Sequence, residues 1–199
     1  MFSLAGCIVD KCPNKALYDR DRCYPHLEDK AEYQNQIREL LARERVFRNL
    51  ELSGITLEDM ELVDKEFWFC NLSHVRLDRI RISHCTFRLT FFDFARLTNF
   101  KVKESDARLS VFAGSYLADA SFTESEMPQC SFVGIRARDS LFEGLNLYDC
   151  RFTNSILENT RFSDCNVKRV HFQRSKFFQV SFSNTNVEES NLENVEQNE

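Results

Sequence analysis

The chain has 199 residues, of which 43% are apolar and 29% charged, and a formal net charge of −5. It has no apolar run long enough to span a membrane and no signal peptide, so neither a membrane protein nor a secreted one is expected. Its length fits one elongated domain with a small N-terminal module, and its free cysteines fit a reducing compartment, so a cytoplasmic location is expected.

Residues 1–27 read as a metal-binding module. Cys7, Cys12, Cys23 and His26 are spaced C-x4-C-x10-C-x2-H, with Pro13, Asn14 and Pro25 supplying turns beside them. Three thiolates and an imidazole satisfy tetrahedral zinc, and a short segment with little core gains much of its folding energy from such an ion. Cobalt or iron suits the same ligands. Four protein ligands close the site, so the zinc is expected to be structural, because a catalytic ion keeps a position open for water. The alternative is three buried thiols. Position argues against it: Cys70, Cys85, Cys130, Cys150 and Cys165 all occupy a small inward slot of the repeat described below, whereas Cys7, Cys12 and Cys23 do not.

Residues 28–46 predict a helix from about Glu28 to Arg45, with Tyr33, Ile37, Leu40 and Leu41 at i, i+4, i+7 and i+8. Its apolar stripe is expected to cap the element that follows.

From Phe47 to Leu192 every fifth residue is apolar, without insertion or exception. At this composition chance produces such a run about once in 10¹¹ trials, so the period is real. A step of five suits neither a helix, where it rotates the side chain by roughly 140°, nor a strand, where it alternates faces. The backbone must therefore turn a corner every five residues and stack its coils into a solenoid around one internal column. From Leu52 onward, two places before each such residue a second slot is small or apolar, as at Cys70, Val75, Ile80, Cys85, Thr90 and Ala95, and only Lys65 puts a charge there. A filled interior leaves activity to the outer faces or an end. Gly54, Gly114, Gly134 and Gly144 all take the second variable position, where corners tolerate positive φ.

Quintets such as Cys70-Asn71-Leu72-Ser73-His74, Cys165-Asn166-Val167-Lys168-Arg169 and Ser190-Asn191-Leu192-Glu193-Asn194 resemble the pentapeptide-repeat family. The resemblance covers residues 47–196, leaving 197–199 as an acidic tail, and implies an all-β solenoid, a right-handed quadrilateral β-helix with twenty residues per coil. Arg, Lys, Glu or Thr often stand where the family favours Asp or Asn. Independently, Phe92, Phe112, Phe132, Phe152 and Phe172 recur at spacing twenty, as do Phe122, Phe142, Phe162 and Phe182. Stacked coils place these rings roughly 4.8 Å apart.

The resemblance also implies a possible partner, because some members of the family mimic duplex DNA and occupy the DNA-binding saddle of type II topoisomerases such as gyrase. Mimicry needs a dense anionic surface. Here residues 1–187 carry equal numbers of acids and bases, and the net charge comes from Glu188, Glu189, Glu193, Glu196 and Glu199. Asp64, Glu66, Glu104, Asp106, Glu124 and Glu126 nevertheless register as an acidic strip along one corner, diluted by Lys101 and Lys103. Direct nucleic-acid binding is not expected, since the column Arg76, Arg96, Arg136 and Lys176 lies close to Asp78, Asp119, Asp139 and Glu158.

A hydrophobic signal is the stronger one. Trp68, Phe69, Leu89 and Leu109 take outward slots of successive coils, with Phe91, Phe94 and Val111 on the neighbouring face. A contiguous apolar patch marks an interaction surface, for a protein partner or a second copy in a homodimer, unless the N-terminal module folds over it. The remaining histidines, His74, His84 and His171, fall on different faces and register into no catalytic Cys/His or Ser/His/Asp set, and there is no Gly-rich phosphate loop, so no catalytic activity is expected. The reading is a non-catalytic protein-interaction scaffold, with topoisomerase binding as the alternative.

Overall fold

Each pentapeptide lays three residues along one side of a square coil and turns at a corner, and the computed structural model repeats this from Phe47 onward. The structure describes residues 5–198; residues 1–4 of the N-terminal module and Glu199 of the acidic tail lie outside it. The turn has one cause throughout. Every fifth residue from Asn49 to Asn194, Glu189 excepted, has φ between 44° and 79°, which turns the chain through a corner.

After helix α1 (Lys30–Arg43) come β1 (Val46–Arg48), β2 (Thr56–Val63), β3 (Glu66–Trp68), β4 (Arg76–Ser83) and β5 (Thr86–Arg88). β1, β3 and β5 pair in parallel along one side of the coil, Phe47 over Phe67 over Phe87. Two further sides carry the long ladders, 76–78 to 96–98 to 116–118 and 81–83 to 101–103 to 121–123, always twenty residues apart. The fourth side is held by single bridges, Glu51 to Asn71 to Phe91 to Val111 to Ser131. Inter-coil hydrogen bonds run along the rod, as from Phe92 N–H to the Val111 carbonyl at 2.6 Å and from Arg136 N–H to the Ser115 carbonyl at 2.9 Å.

The interior is built of phenylalanine. Phe92, Phe112, Phe132, Phe152 and Phe172 stack with centroids 4.6–5.2 Å apart, and Phe122, Phe142, Phe162 and Phe182 stack at 4.8–5.3 Å. The two ladders meet edge to face, Phe132 against Phe142 at 90°, the arrangement ring quadrupoles favour. The small slot fills the remaining space, and of its buried hydroxyls only Ser110 Oγ lacks a hydrogen-bond partner. Ser115, Ser155 and Ser175 each donate their hydroxyl to a carbonyl 23 residues earlier, at 2.6, 2.9 and 2.7 Å.

Two residues depart from the small-slot rule, each for a visible reason. Phe100 is buried there because its neighbour on the same side is only Val102, whereas Phe122 in the next coil sits beside Ala120. Bulk is thus traded between the two inward slots, as close packing favours. Lys65 leaves the interior altogether and donates to the carbonyls of Ala42 and Glu44.

Helix α1 starts two residues later than the sequence suggests and ends two earlier. Asp29 accepts from Glu32 N–H at 2.8 Å as its N-cap, and Glu44 is the C-cap. Tyr33, Ile37 and Leu41 are buried and Leu40 partly so, packed on the first coil. A void of about 30 Å³ remains under the helix, lined by Leu41, Leu52, Leu57, Leu62 and Phe67. No helix among the described residues is long and apolar enough to cross a membrane.

Candidate metal centre and interaction surface

The N-terminal residues form a short hairpin, bridged antiparallel at Gly6 and Lys15, with Cys7 N–H donating to the Asn14 carbonyl at 2.9 Å. The hairpin carries Cys7 and Cys12. A single 3-10 turn, Tyr24–His26, follows Cys23, and Pro25 fixes its first residues. This turn brings His26 back beside Cys23, where its backbone N–H reaches the Cys23 carbonyl at 2.9 Å.

Hairpin and turn bring the four side chains together. The His26 Nδ1 atom is 3.3 Å from both Cys7 Sγ and Cys23 Sγ, and Cys12 Sγ is 3.7 Å from Cys23 Sγ. All four donor atoms lie within 4.8 Å of one another. A tetrahedral ion with metal–sulfur bonds of ~2.3 Å and metal–nitrogen bonds of ~2.0 Å needs donor separations of ~3.5–3.8 Å. The donor set fits, and the group can hold a metal ion.

Electrostatics separate these thiols from those of the rod. Burial pushes Cys7 up, but hydrogen bonds with the backbone at Cys23 and Val9 and with His26 outweigh it and bring the thiol down to about 6. Cys12 moves the other way: hydrogen bonding at the Asn14 backbone lowers it, while burial and the neighbouring thiols of Cys23 and Cys7 raise it further. Asn14 Nδ2 donates to Cys23 Sγ at 3.6 Å, a second support for thiolate charge. In the rod, burial raises Cys70 to about 11 and also raises Cys85, Cys130 and Cys165. Those thiols are inert filler.

The apolar surface residues occupy one corner and the side next to it. Leu89, Phe94 and Leu109 are exposed, at 39%, 60% and 44%, while Trp68, Phe69, Phe91 and Val111 are half-buried. Arg48 stacks over the Trp68 ring at 5.1 Å and Glu66 accepts from its Nε1 at 3.2 Å. Phe94 stacks on His74 at 5.2 Å. Its ring also lies across Gly114, where a Cβ would come within 2.6 Å of it. The N-terminal module contacts the first coil, through Tyr18 N–H on the Glu51 carbonyl and Tyr24 beside Gly54, and leaves Leu89, Phe94 and Leu109 exposed.

The six acidic residues share a corner, yet cations stand among them. Asp106 is held by Arg88 through both carboxylate oxygens and by Arg108 at 3.2 Å. Lys103 lies 3.7 Å from Glu104 and 3.5 Å from Glu124, and His84 lies 3.2 Å from Glu104. Glu126 accepts from Asn146. Asp64 and Glu66 stand in the first coil, separated from the rest by His84 and Thr86. Lys103 was legible as a diluting charge; Arg88 and Arg108 were not, because they sit in the next column. The basic column is interrupted too, by Tyr116 between Arg96 and Arg136 and by Ile156 before Lys176.

Parallel coils of twenty residues, four sides and a ring-filled interior define a β-solenoid of the quadrilateral class. Residues 155–194 match the family model for pentapeptide repeats in eight copies, and the same coil geometry continues back to Phe47. No curated protein matches the sequence. Among solved structures the chain is similar to full-length QnrB1, described as a plasmid-mediated fluoroquinolone resistance protein, at 16% identity over 77% of this chain and 82% of that one, TM-score 0.48. It is similar to HetL, a pentapeptide repeat protein involved in heterocyst differentiation regulation from the cyanobacterium Nostoc sp. strain PCC 7120, at 13% identity over 81% and 92%, TM-score 0.33. A third is Rfr23, a pentapeptide repeat protein from the cyanobacterium Cyanothece 51142, at 16% identity over 85% and 97%, TM-score 0.25.

Proposed function

We propose that the protein is a non-catalytic interaction scaffold that engages a protein partner, or a second copy of itself, through Trp68, Phe69, Leu89, Phe91, Phe94, Leu109 and Val111. The observation that carries this reading is the exposure of Leu89, Phe94 and Leu109 on neighbouring coils of a rod whose outer slots are otherwise mostly polar. Contiguous apolar surface of this kind is typical of interaction sites. Cys7, Cys12, Cys23 and His26 bind structural zinc in this reading and hold the N-terminal module on the first coil. The thiols fit a reducing, cytoplasmic setting. The test is the double variant Trp68→Glu, Leu109→Glu. It should abolish self-association or partner capture with the β-solenoid circular dichroism intact, and unchanged binding sinks the proposal.

A second reading is a topoisomerase ligand acting through the acidic corner, favoured by the alignment of Glu104, Asp106, Glu124 and Glu126 along the rod. The pairing of Asp106, Glu104 and Glu124 with Arg88, Arg108 and Lys103 weighs against it, since a DNA mimic needs uncompensated charge. Gyrase supercoiling with and without the protein decides it. An inhibition or protection that charge reversal at those four residues removes would support mimicry, and no effect in either arm would exclude it.

A further inference from the structure

The eight cysteines divide into two groups by access. Cys70, Cys85, Cys130, Cys150 and Cys165 lie inside the rod, between 0% and 6% exposed. Cys7 and Cys12 stand half-buried in the N-terminal module, with Cys23 buried at their side. A small oxidant arriving from solvent therefore meets the metal centre before any thiol of the rod.

The module has little besides that centre to hold its shape. Of residues 5–27 only Ala16, Leu17 and Cys23 are buried. Its main ties to the helix and the first coil are Tyr18 N–H on the Glu51 carbonyl at 2.8 Å, the Tyr33 hydroxyl on the Tyr18 carbonyl at 3.0 Å, and Leu17 packed into the core. A segment this poor in core takes its folding energy from its ion. Helix α1 does not depend on it in the same way, having its own N-cap at Asp29 and burying Tyr33, Ile37 and Leu41. Loss of the ion should thus loosen the module and leave helix and rod in place.

The geometry also names the pair that an oxidant would join. Cys7 Sγ and Cys23 Sγ each lie 3.3 Å from His26 Nδ1, whereas Cys12 Sγ lies 3.7 Å from Cys23 Sγ. A small rotation of the half-buried Cys12 side chain brings the two sulfurs into bonding distance. The Cys12 thiolate attacks one oxygen of a peroxide, breaking the O–O bond and forming a sulfenic acid. The Cys23 thiolate then displaces the sulfenic oxygen to form the S–S bond. Two thiolates give up two electrons, and hydrogen peroxide with two protons leaves as two waters. Cys7 and His26 alone cannot complete a tetrahedral shell, so Zn²⁺ departs. A small thiol reverses the step by disulfide exchange.

Resting on the zinc reading above, we propose that this centre is a redox clasp: a peroxide joins Cys12 to Cys23, expels the ion and loosens the N-terminal module from the first coil. The test treats the reduced, zinc-loaded full chain with hydrogen peroxide beside a chromophoric zinc chelator. One zinc should be released for every two thiols lost, and non-reducing peptide mass mapping should find a Cys12–Cys23 link. Hydrogen exchange at the Tyr18 amide should quicken about ten-fold or more. Dithiothreitol with added zinc should restore the starting state. The variant Cys130→Ser, Cys150→Ser, placed where the repeat often carries Ser, should release zinc at the same rate, and a slower release would overturn the assignment to the module. Zinc retained at peroxide levels that consume free glutathione overturns the clasp and leaves structural zinc standing. Release with sulfinic acid and no disulfide, or with a link to Cys7, overturns the step. Release with unchanged exchange at Tyr18 overturns the loosening. A reduced chain that takes up no zinc overturns the zinc reading itself and the clasp with it.

Discussion

Lys65 Nζ donates to the Glu44 carbonyl at 2.7 Å, so a side chain of the first coil caps the last turn of helix α1. The Ala42 carbonyl takes a second bond at 3.1 Å. The ammonium thus meets two unpaired carbonyls at the negative end of the helix dipole. Lys65→Met keeps a long side chain and removes the donor. It is expected to lower stability by about 1 kcal/mol and to speed hydrogen exchange at the Glu44 amide, which bonds to the Leu40 carbonyl.

Phe132 sits at the crossing of both ring ladders. It stacks on Phe112 and Phe152 at 5.0 and 4.6 Å and meets Phe122 and Phe142 edge on. Phe132→Ala should cost about 3–5 kcal/mol. Because each coil contacts only its neighbours, denaturant unfolding should also separate into two transitions where the wild type has one. A single transition shifted by a small amount would mean that the ladder is not the main source of cohesion.

Gly114 has φ of +67° and lies under the Phe94 ring. Gly114→Ala should cost about 1 kcal/mol from the backbone and more from displacing the ring. Adding Phe94→Ala should recover the ring part alone. A double-mutant cycle by urea denaturation separates the two.

Removing metal should affect one end of the molecule. Native mass spectrometry of the reduced protein is expected to find one zinc per chain, lost on chelation and in Cys7→Ser or Cys23→Ser. After chelation, iodoacetamide should label Cys7, Cys12 and Cys23 and spare Cys70, Cys85, Cys130, Cys150 and Cys165, which are buried in the rod. Raising the pH to about 9 should leave Cys70 protected, because burial holds its thiol near 11. A metal-free protein whose N-terminal thiols resist labelling would reduce that motif to buried cysteines.

The period of five and the ring ladders at spacing twenty were legible because a solenoid writes each contact into the chain at a fixed separation. Phe132 and Phe152 are neighbours wherever the coil is twenty residues long. The role of Lys65 was not legible, since its partners belong to a helix whose end the apolar stripe alone set at Arg45. The burial of Phe100 in the small slot was not legible from that slot alone, since it depends on the smaller Val102 beside it. The apolar residues Leu89 and Leu109 read as outward from their phase, but their left-handed backbone appears only in three dimensions. The candidate metal ligands were legible as spacing; that Cys7 and Cys12 are pushed in opposite directions was not, because it depends on which backbone groups face each sulfur.

The inter-coil hydrogen bonds point along the rod, and this has a mechanical consequence. A pull applied at the two ends of a stack loads its coils in series, and each coil is held by little more than the bonds and ring faces it shares with the next. Under force the rod should lengthen in steps of one coil, about 65–70 Å of contour for twenty extended residues, so the protein would behave as a stepwise extensible tether rather than a rigid strut.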